Sequence, residues 1–511
     1  MTVMTVGADT TGAENSEAFA GSRACFETVL GWLEGEEAAG LPHGELEAHV
    51  QVEGRALLRR LLQDHLDLRA HNEARLASVV GAEGVPRGSA EAGHHRRLGT
   101  VFGEVTVERV AYRQRGHPNL YPADGVLNLP EEKHSHGLRR LAALEASQGS
   151  FDGAREAIAR ATGQDLGKRQ IEELAARAAG DFEAFYTSRL RPVGDPDDTL
   201  VLSCDGKGVV MRPDALRPAT RKAAATTAKK LLTRLSKGEK RNRKRLAEVG
   251  AVYDATPAPR TPTDILARGD DEAEKGRQAT APKTTNKWLT ASVVDDAATV
   301  VHQIFDEADR RDPDHQRTWI ALVDGNNHQI DRITYQAQTR GANVRIVIDF
   351  VHVLEYLWRA AWSFHNEGDP AAEQWVRDKA SAVLAGRAKH VAAAIRRKAT
   401  RGGLDPPTRA NADTCAKYLV NKAPYLDYPT ALKEGWPIAT GVIEGACRHL
   451  VKDRMDITGA RWGLLGAEAI LKLRAIHSNG DFPKYWRYHL ERELERIHES
   501  RYTNNTIPKA A

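Results

Sequence analysis

The stretch "TWIALVDGNNHQ", Thr318 to Gln329, runs through an apolar segment that stops abruptly at Asp324 and Gly325. An apolar, β-branched segment of this length predicts a buried strand, and an Asp-Gly pair after it is an ordinary turn signal. A second segment of the same pattern, "TLVLSCDGKGV", leads into Asp205 and Gly206. Because neighbouring strand ends can bring such residues together, and a glycine lets backbone approach a substrate closely, both aspartates are candidate ligands as well as turn residues.

The region from about residue 198 to residue 352 predicts a sheet. Apolar, β-branched segments recur there between turn residues, namely "DTLVLSCDG", "EVGAVYDATP", "KWLTASVV", "TVVHQIF", "TWIALVDG" and "VRIVIDF". From Val353 to Ala439 the pattern is helical and includes the cationic run "RRKATR". Strands followed by this helical run predict an α/β domain that carries a large all-helical insertion.

The chain upstream of the sheet predicts mainly helices. Cys25 to Val80 has leucines at three- and four-residue intervals, which suits packing or an oligomer interface, and "TVFGEVTVERVAYRQRG" predicts a strand or hairpin. Further on, two helices separated at Gly163, the second opening with Lys168 and Arg169, have the outline of a helix-turn-helix. In such a unit the second helix reads a DNA major groove. A helical hairpin that only packs gives the same pattern, so both interpretations stay open.

The net charge of +4 over 511 residues hides local blocks of one sign. Between Arg217 and Arg245 there are twelve Lys or Arg residues and one acidic residue, Glu239. Such a block suits a polyanion, because basic runs attract phosphates. The alternative is a solvated loop with no partner.

The cysteines and the apolar runs bear on the compartment. Cys25, Cys204, Cys415 and Cys447 form no C-x-x-C pair, so neither a zinc site nor a disulfide framework is indicated, and a reducing cytoplasm is expected. The first residues lack the cationic start and apolar core of a signal peptide, and no uncharged apolar run of about 18 residues occurs. We therefore expect neither export nor a membrane partner.

A third carboxylate is expected from the segment "GVIEGACRHLVKDRMDITGARW". Helical spacing puts its apolar residues on one side and Glu444, Arg448 and Lys452 on the other. The alternative is a helical salt bridge, worth a few tenths of a kcal/mol. Carboxylates beside cations also suit phosphodiester chemistry by paired divalent ions, because magnesium prefers oxygen ligands and two ions can support an in-line displacement at phosphorus.

Four segments in one order, "LSCDGKGV", "ALVDGNNHQ", "IDFVHVLEYLW" and "GVIEGACRHLVKDRMDITGARW", resemble the transposases of ISKra-type bacterial insertion sequences, within the DDE superfamily. The resemblance is strong from about Thr199 to His477, moderate from about Leu98 to Leu190, and weak before that. It implies an RNase H-like catalytic core, a mixed sheet with helices, in which Asp205, Asp324 and Glu444 hold two Mg²⁺ or Mn²⁺ ions.

The resemblance also implies the reaction and the partners. Such an enzyme binds the terminal inverted repeats of its own insertion sequence, hydrolyses the strand at the element's end, and joins the freed 3′-hydroxyl to target DNA. Cutting two ends in concert implies a homo-oligomer, and we expect the protein in the cytoplasm, associated with the nucleoid. The alternatives are another RNase H-like nuclease, such as a junction resolvase, and a transposase-derived DNA-binding protein that is no longer catalytic.

Further residues are candidates for accessory roles at the active centre or for contacts with DNA, and several of them have a structural alternative. Asp349 and His352 in "DFVH" resemble the Asp-x-x-His element of related Mutator-like transposases, which lies near the active centre. Asp349 is also the rival to Asp324 as the second carboxylate, and His352 can instead cap or pack its helix. The residues around and after Glu444 are candidate DNA contacts, with burial as the alternative for the tryptophan: Arg448, Lys452, Arg454, Arg461 and Trp462.

The length predicts roughly three domains, and the patterns divide the chain more finely. Residues 1–97 are a polar start and a helical region suited to oligomerisation, and residues 98–197 are a short β segment with the DNA-binding helices. Residues 198–352 begin the catalytic domain and include a basic insert at 214–248. Residues 353–439 form the helical insertion, and residues 440–511 carry Glu444 and the C-terminal helices.

Overall fold

The computed structural model describes residues 17–226, 243–267, 281–457 and 459–509. By its contacts the chain divides into two units. The N-terminal unit comprises residues 1–187 and 481–511, and the central unit comprises residues 188–480. The predicted boundary at residue 97 falls inside a strand of the N-terminal unit. The last helix, which we grouped with Glu444, belongs to the N-terminal unit instead.

The N-terminal unit combines helices with a long β-hairpin. Its strands are β1 (Val79–Val80), β2 (Pro86–Arg87), β3 (Ser89–Thr100) and β4 (Gly103–Arg113), paired antiparallel as β1–β2 and β3–β4. Its helices are Ala20–Leu33, Glu36–Ala39, His43–His71, Pro122–Val126, His136–Gln148, Phe151–Thr162, Lys168–Ala178, Phe182–Ser188 and Phe482–Ile497. Alternate residues of β4 are buried. The predicted hairpin is therefore confirmed.

The segment predicted as a helix-turn-helix contains two helices separated at Gly163. The first helix ends at Thr162, and Gly163 follows with φ at 70°, in the left-handed region that favours glycine. The second helix begins at Lys168, as predicted. The helix His136–Gln148 packs beside both, and inward side chains such as Ile171 are fully buried. Its reading of DNA stays a prediction.

A buried ionic network fixes the C-terminal helix within the N-terminal unit. Arg139 donates to Glu493 at 2.5 Å and contacts His489 Nε2 at 3.1 Å. His489 Nδ1 lies 2.7 Å from Asp181, which also accepts two hydrogen bonds from Arg496 at 3.0 and 3.1 Å. Burial works to raise the pKa of Asp181, but the hydrogen bonds from His489 and Arg496 outweigh it and lower the pKa to about 2. The last helix is thus an integral part of this unit.

The central unit is organised around a five-stranded mixed sheet, which confirms the α/β class. Its strands are β5 (Thr199–Val210), β6 (Lys244–Thr256), β7 (Lys283–Ser292), β8 (Trp319–Val323) and β9 (Val344–Ile348), in the order β7-β6-β5-β8-β9. Strands β5, β6 and β7 are mutually antiparallel, whereas β8 and β9 run parallel to β5. Every residue of β8 is buried, as expected for a strand covered on both faces.

Two predictions in the sheet region were wrong. "TVVHQIF" lies in the helix Ala297–Arg311, because its apolar residues bury one helical face rather than alternate residues of a strand. Strand β5 does not end at Asp205: it continues beside β6 as far as Val210. Its parallel ladder with β8 does stop, at Leu202. Asp205 therefore lies in the part of β5 that still pairs with β6 but no longer pairs with β8.

The other helices of the central unit connect the strands and form the predicted insertion. Pro218–Thr226, Pro262–Leu266, Ala297–Arg311 and Asn327–Arg340 lie between strands. The helical structure predicted for the insertion segment is confirmed, and it follows β9 as Phe350–Ala361, Pro370–Leu384, Ala388–Arg401, Pro406–Asn421 and Tyr428–Lys433. Gly441–Ala446, Cys447–Lys452, Asp453–Met455 and Leu464–Ser478 complete the unit.

The basic insert is described in part. Residues 218–226 form a helix and residues 244–248 begin β6, while residues 227–242 lie outside the described residues. Much of the predicted polyanion contact at 217–245 therefore also falls outside them. Among the helices that the structure describes, none is long and apolar enough to cross a membrane.

Candidate active site

Three aspartates lie level with one another at one edge of the central sheet. Leu202 of β5 is paired with Ala321 of β8, and three residues further along these parallel strands are Asp205 and Asp324. Strands β8 and β9 end together at this edge, and the next residues are Asp324 and Asp349. Neighbouring strands lie about 4.8 Å apart. The sheet therefore gathers three carboxylates that the sequence separates widely.

Asp324 and Asp349, the two candidates for the second catalytic carboxylate, differ in the hydrogen bonds that their side-chain oxygens accept. Asp349 is 2% exposed, and its Oδ1 caps the following helix by accepting from the backbone N–H of Val351 at 2.9 Å. Its Oδ2 accepts from Thr440 Oγ1 at 2.6 Å. Asp324 is half-buried, and its Oδ1 accepts from the backbone N–H of Asn326 at 2.8 Å. Asp324 keeps Oδ2 without a donor among the described residues, so it is the better placed to bind a ligand.

Glu444 reaches the same edge through Thr440. Glu444 lies in the helix Gly441–Ala446 and is exposed, whereas Thr440 immediately precedes that helix and is buried. Thr440 Oγ1 is 2.6 Å from Asp349 Oδ2 and 3.1 Å from Glu444 Oε1. A hydroxyl has one proton to donate, and the shorter distance assigns it to Asp349. Asp349 and Glu444 are therefore separated by no more than one bridging hydroxyl.

The helix that carries Glu444 contacts Asp205 one turn later. It widens to π-helical geometry over Cys447–Lys452, a feature that is frequent at functional sites. Cys447 Sγ donates to Asp205 Oδ2 at 3.3 Å. Burial and then the charge of Asp205 raise the pKa of the Cys447 thiol, which keeps its proton available for this bond. We call Asp205, Asp324, Asp349 and Glu444 the carboxylate cluster.

A further carboxylate beside the cluster was not predicted. Glu248 of β6 is paired with Gly206 of β5, and a Cβ atom on Gly206 would come within 3.3 Å of Glu248 Oε2. Burial raises the pKa of Glu248; the charge of Arg217 opposes this shift and that of Asp205 reinforces it. Only the pairing of β5 with β6, which no local pattern specifies, brings Glu248 beside Asp205.

The helical insertion supplies two further residues that the sequence did not single out. Tyr418 donates from its hydroxyl to the carbonyl oxygen of Asp324 at 3.2 Å, and Lys422 donates to Asn327 Oδ1. Gly325 has φ at 92°, and a Cβ atom there would lie 3.0 Å from the Tyr418 hydroxyl. The Asp-Gly pair is thus required both by the backbone conformation and by the close approach of the insertion.

His352 contacts one of two stacked tyrosines, Tyr356 and Tyr418, that lie near Asp324. Its ring is edge-on to Tyr356 at 6.0 Å, and Tyr356 stacks on Tyr418 with ring centroids 3.9 Å apart. His352 Nδ1 is also 4.0 Å from Glu355. These contacts agree with the packing interpretation of His352. Its accessory role at the active centre stays a prediction.

The predicted DNA contacts near Glu444 divide into exposed and buried residues. Arg448, Lys452 and Arg461 are exposed. Arg454 and Trp462 are only 3% and 5% exposed, and the guanidinium of Arg454 lies 4.7 Å from the centroid of the Trp462 ring. Burial lowers the pKa of Arg454 to about 10. Arg454 is thus corrected from a phosphate contact to a packed side chain, and Trp462 takes the buried alternative.

The predicted cations of the helix-turn-helix are exposed, and each has a carboxylate partner. Lys168 Nζ lies 2.6 Å from Asp152, and Arg169 Nε lies 3.0 Å from Glu173. Exposed ion pairs of this kind contribute about 0–1 kcal/mol. Replacing either carboxylate partner by a phosphate of DNA would therefore cost little free energy.

The carboxylate cluster fits a divalent ion in its chemistry but does not form a preassembled cage. Hard cations such as Mg²⁺ prefer carboxylate oxygens. Within the described ranges, no group of three His, Cys, Asp or Glu side chains is arranged to hold a metal ion. Mg²⁺ sites commonly combine one or two carboxylates with waters and substrate phosphates. The cluster thus offers the type of oxygen donor that such ions prefer, without a preformed set of ligands among the described residues.

Comparisons with known proteins leave the function to be argued from the site itself. No protein-family model matches the chain, and no curated protein matches its sequence.

Proposed function

We propose that this protein is a DNA transposase of the DDE type, whose catalytic residues are Asp205, Asp324 and Glu444. The observation that carries the proposal is the convergence of the four segments that resemble ISKra-type transposases. They supply β5, the end of β8, the start of the helix capped by Asp349, and the helix of Glu444. These elements meet through strand register and through Thr440 and Cys447. Nothing in the individual segments requires them to meet.

The topology of the central unit supports an RNase H-like core. In that fold three antiparallel strands are followed by two strands parallel to the first, in the order 3-2-1-4-5. The order β7-β6-β5-β8-β9, with β8 and β9 parallel to β5, has this arrangement. The helical insertion lies between the last strand and the helix of Glu444.

The proposed cofactors are two divalent ions, Mg²⁺ or Mn²⁺, held by Asp205, Asp324 and Glu444. When bound, such ions activate the attacking oxygen and stabilise the leaving oxygen during in-line displacement at phosphorus. The carboxylate oxygens of the cluster are the donors that these ions prefer.

The neighbouring residues orient the three carboxylates. The Cys447 thiol holds Asp205, and the Tyr418 hydroxyl holds the backbone of Asp324. Thr440 lies between Asp349 and Glu444 and donates its hydroxyl proton to Asp349. Such support is what keeps catalytic side chains in a productive geometry.

The proposed substrates are the terminal inverted repeats and the target DNA. Exposed cations that follow Glu444 in the chain, namely Arg448, Lys452 and Arg461, are the proposed phosphate contacts. In the N-terminal unit, Lys168 and Arg169 open the helix that would enter the major groove. A homo-oligomer belongs to the same proposal, because two element ends must be processed together.

The experiment that tests the proposal compares Asp324→Asn with the parent on DNA that contains both flanks of the gene. Asp378→Asn is the matched control, because Asp378 is an exposed carboxylate of the helical insertion that accepts from Gln374. We expect Mg²⁺-dependent cleavage and strand joining by the parent and the control, and neither by Asp324→Asn. Cleavage without joining would indicate a nuclease, and an active Asp324→Asn variant would refute the assignment of the site.

A further inference from the structure

One helix of the insertion presents a cationic surface that the proposed active site does not use. The helix Ala388–Arg401, "AKHVAAAIRRKATR", contains no aspartate or glutamate. Its cations Lys389, Arg396, Arg397 and Arg401 are exposed, and we call these four residues the basic face. The helix is continuous over 14 residues, so the basic face extends over roughly 18 Å at 1.5 Å per residue.

The basic face lies opposite the side by which the helix packs. Val391, Ile395 and Ala399 are buried at three- and four-residue spacing. The exposed side also carries His390 and Thr400. A stripe of cations on one side of a continuous helix is therefore accessible to a large ligand.

In the part of the chain that the structure describes, the cations of the basic face have no carboxylate partner, whereas three other cations of the insertion do. Among the described residues, none of the four takes part in an ion pair. By contrast, three cations elsewhere in the insertion each lie beside a carboxylate. The pairs are Arg359 with Glu355 at 3.3 Å, Arg409 with Asp413 at 2.8 Å, and Lys433 with Glu434 at 3.8 Å. Like charges at helical spacing repel one another, so an uncompensated stripe suits a polyanionic partner.

Lys398 belongs to the same helix but has a different environment. Its ammonium lies 4.9 Å from the centroid of the Phe364 ring and 5.6 Å from that of Trp375. Burial and the charge of Lys379 lower the pKa of Lys398. Lys398 therefore fastens the helix to its neighbours, and the basic face consists of the residues that point away from them.

The location of the basic face connects it with the carboxylate cluster. The helix Ala388–Arg401 packs against the helix Pro406–Asn421. The latter carries Tyr418, whose hydroxyl binds the carbonyl of Asp324. A ligand on the basic face is thus separated from the loop of Asp324 by two packed helices, Ala388–Arg401 and Pro406–Asn421.

We propose that the basic face binds the phosphate backbone of double-stranded DNA. The inference rests on the proposed function, which makes DNA the substrate of the adjacent site. Lys and Arg that contact phosphates position a duplex without reading its sequence. The basic face therefore holds DNA of any sequence, and it adds counterion release to the binding free energy.

The test uses the full-length protein, without divalent metal, and a short mixed-sequence DNA duplex as the probe. Fluorescence anisotropy gives the association constant as KCl is raised. The basic-face variant is Lys389→Gln, Arg396→Gln and Arg397→Gln together, and the matched control is Arg359→Gln, Arg409→Gln and Lys433→Gln. Both remove three positive charges from the insertion, so net charge is the same.

We expect the slope of log K against log [salt] to become shallower by about 2 to 3 for the basic-face variant, since each phosphate contact contributes about 0.9. The control variant should keep the parent's slope. A charge-preserving variant, Lys389→Arg with Arg396→Lys and Arg397→Lys, should restore binding, which shows that the loss is not a folding defect. Equal slopes for the parent and the basic-face variant, or equal losses for the variant and the control, would overturn the inference.

The outcome separates this inference from the proposed function. If the basic-face variant binds as the parent does, and Asp324→Asn still abolishes cleavage, the inference fails and the proposed function stands. If the parent itself does not bind the duplex at low salt, both fail together.

Discussion

Replacing Thr440 by valine removes the hydroxyl that connects Asp349 with Glu444 and keeps nearly the same side-chain volume. Thr440 is 5% exposed and donates to Asp349 Oδ2 at 2.6 Å. Hydrogen bonds to charged groups contribute about 1.5–3 kcal/mol, and Asp349, at 2% exposure, would keep Val351 as a donor but lose the other. We expect the free energy of unfolding of the central unit to fall by about 2 kcal/mol.

Urea denaturation followed by tryptophan fluorescence measures this loss, and Thr440→Ser is the control because it retains the hydroxyl. The same change removes the donor that orients Asp349 within the carboxylate cluster. DNA cleavage by Thr440→Val should therefore fall further than that by Thr440→Ser, while the affinity for DNA stays equal. Stabilities of the two variants within about 0.5 kcal/mol of each other would refute the bridging role of the hydroxyl.

Three further predictions concern other contacts of the two units. Tyr418→Phe removes the donor to the carbonyl of Asp324; we expect a loss of about 1 kcal/mol in stability and slower cleavage with unchanged DNA affinity, and a parent-like cleavage rate would contradict the role of Tyr418. Burial raises the pKa of the Cys447 thiol, so this thiol should react with a disulfide reagent at pH 8 roughly ten times more slowly than partly exposed Cys25; mass mapping of labelled peptides decides, and equal rates would count against the packing around Asp205. Asp181 has its pKa lowered to about 2 in the folded N-terminal unit, so its ionised form stabilises that unit by about 2 kcal/mol above pH 4, a contribution that disappears as the pH falls toward 2. Asp181→Asn should therefore be less stable than the parent near pH 7, and the difference should shrink at low pH; a constant difference across this range would argue against the ionic network.

The sequence predicted the parts of the fold that are encoded locally. The end of β8 at Asp324, the break at Gly163, the start of the next helix at Lys168 and the helical insertion all follow from residue patterns within a short window. One failure came where a distant strand decides the structure. Strand β5 runs past Asp205 because β6, far along the chain, continues to pair with it.

The sequence singled out the three proposed catalytic carboxylates but not the residues that contact and orient them. Asp205, Asp324 and Glu444 follow from motifs, whereas Thr440, Tyr418 and Glu248 belong to no motif and reach the cluster through tertiary packing. Burial also cannot be read from residue type alone.

Arg454 illustrates this limit. It lies among exposed cations in the sequence, yet its side chain is packed against Trp462. A helical spacing argument assigns such a residue to a face only while the helix is regular, and the turn at Cys447–Lys452 is π-helical.

We propose that Asp205, Asp324 and Glu444 hold the divalent ions of a DNA-processing site. Iron(II) in place of Mg²⁺, with ascorbate and peroxide, generates hydroxyl radicals that cut a polypeptide near the bound ion. In the presence of DNA we predict cuts in the three segments that surround these residues, and their loss in Asp324→Asn. Cuts confined to other parts of the chain, or an unchanged pattern in Asp324→Asn, would contradict the account.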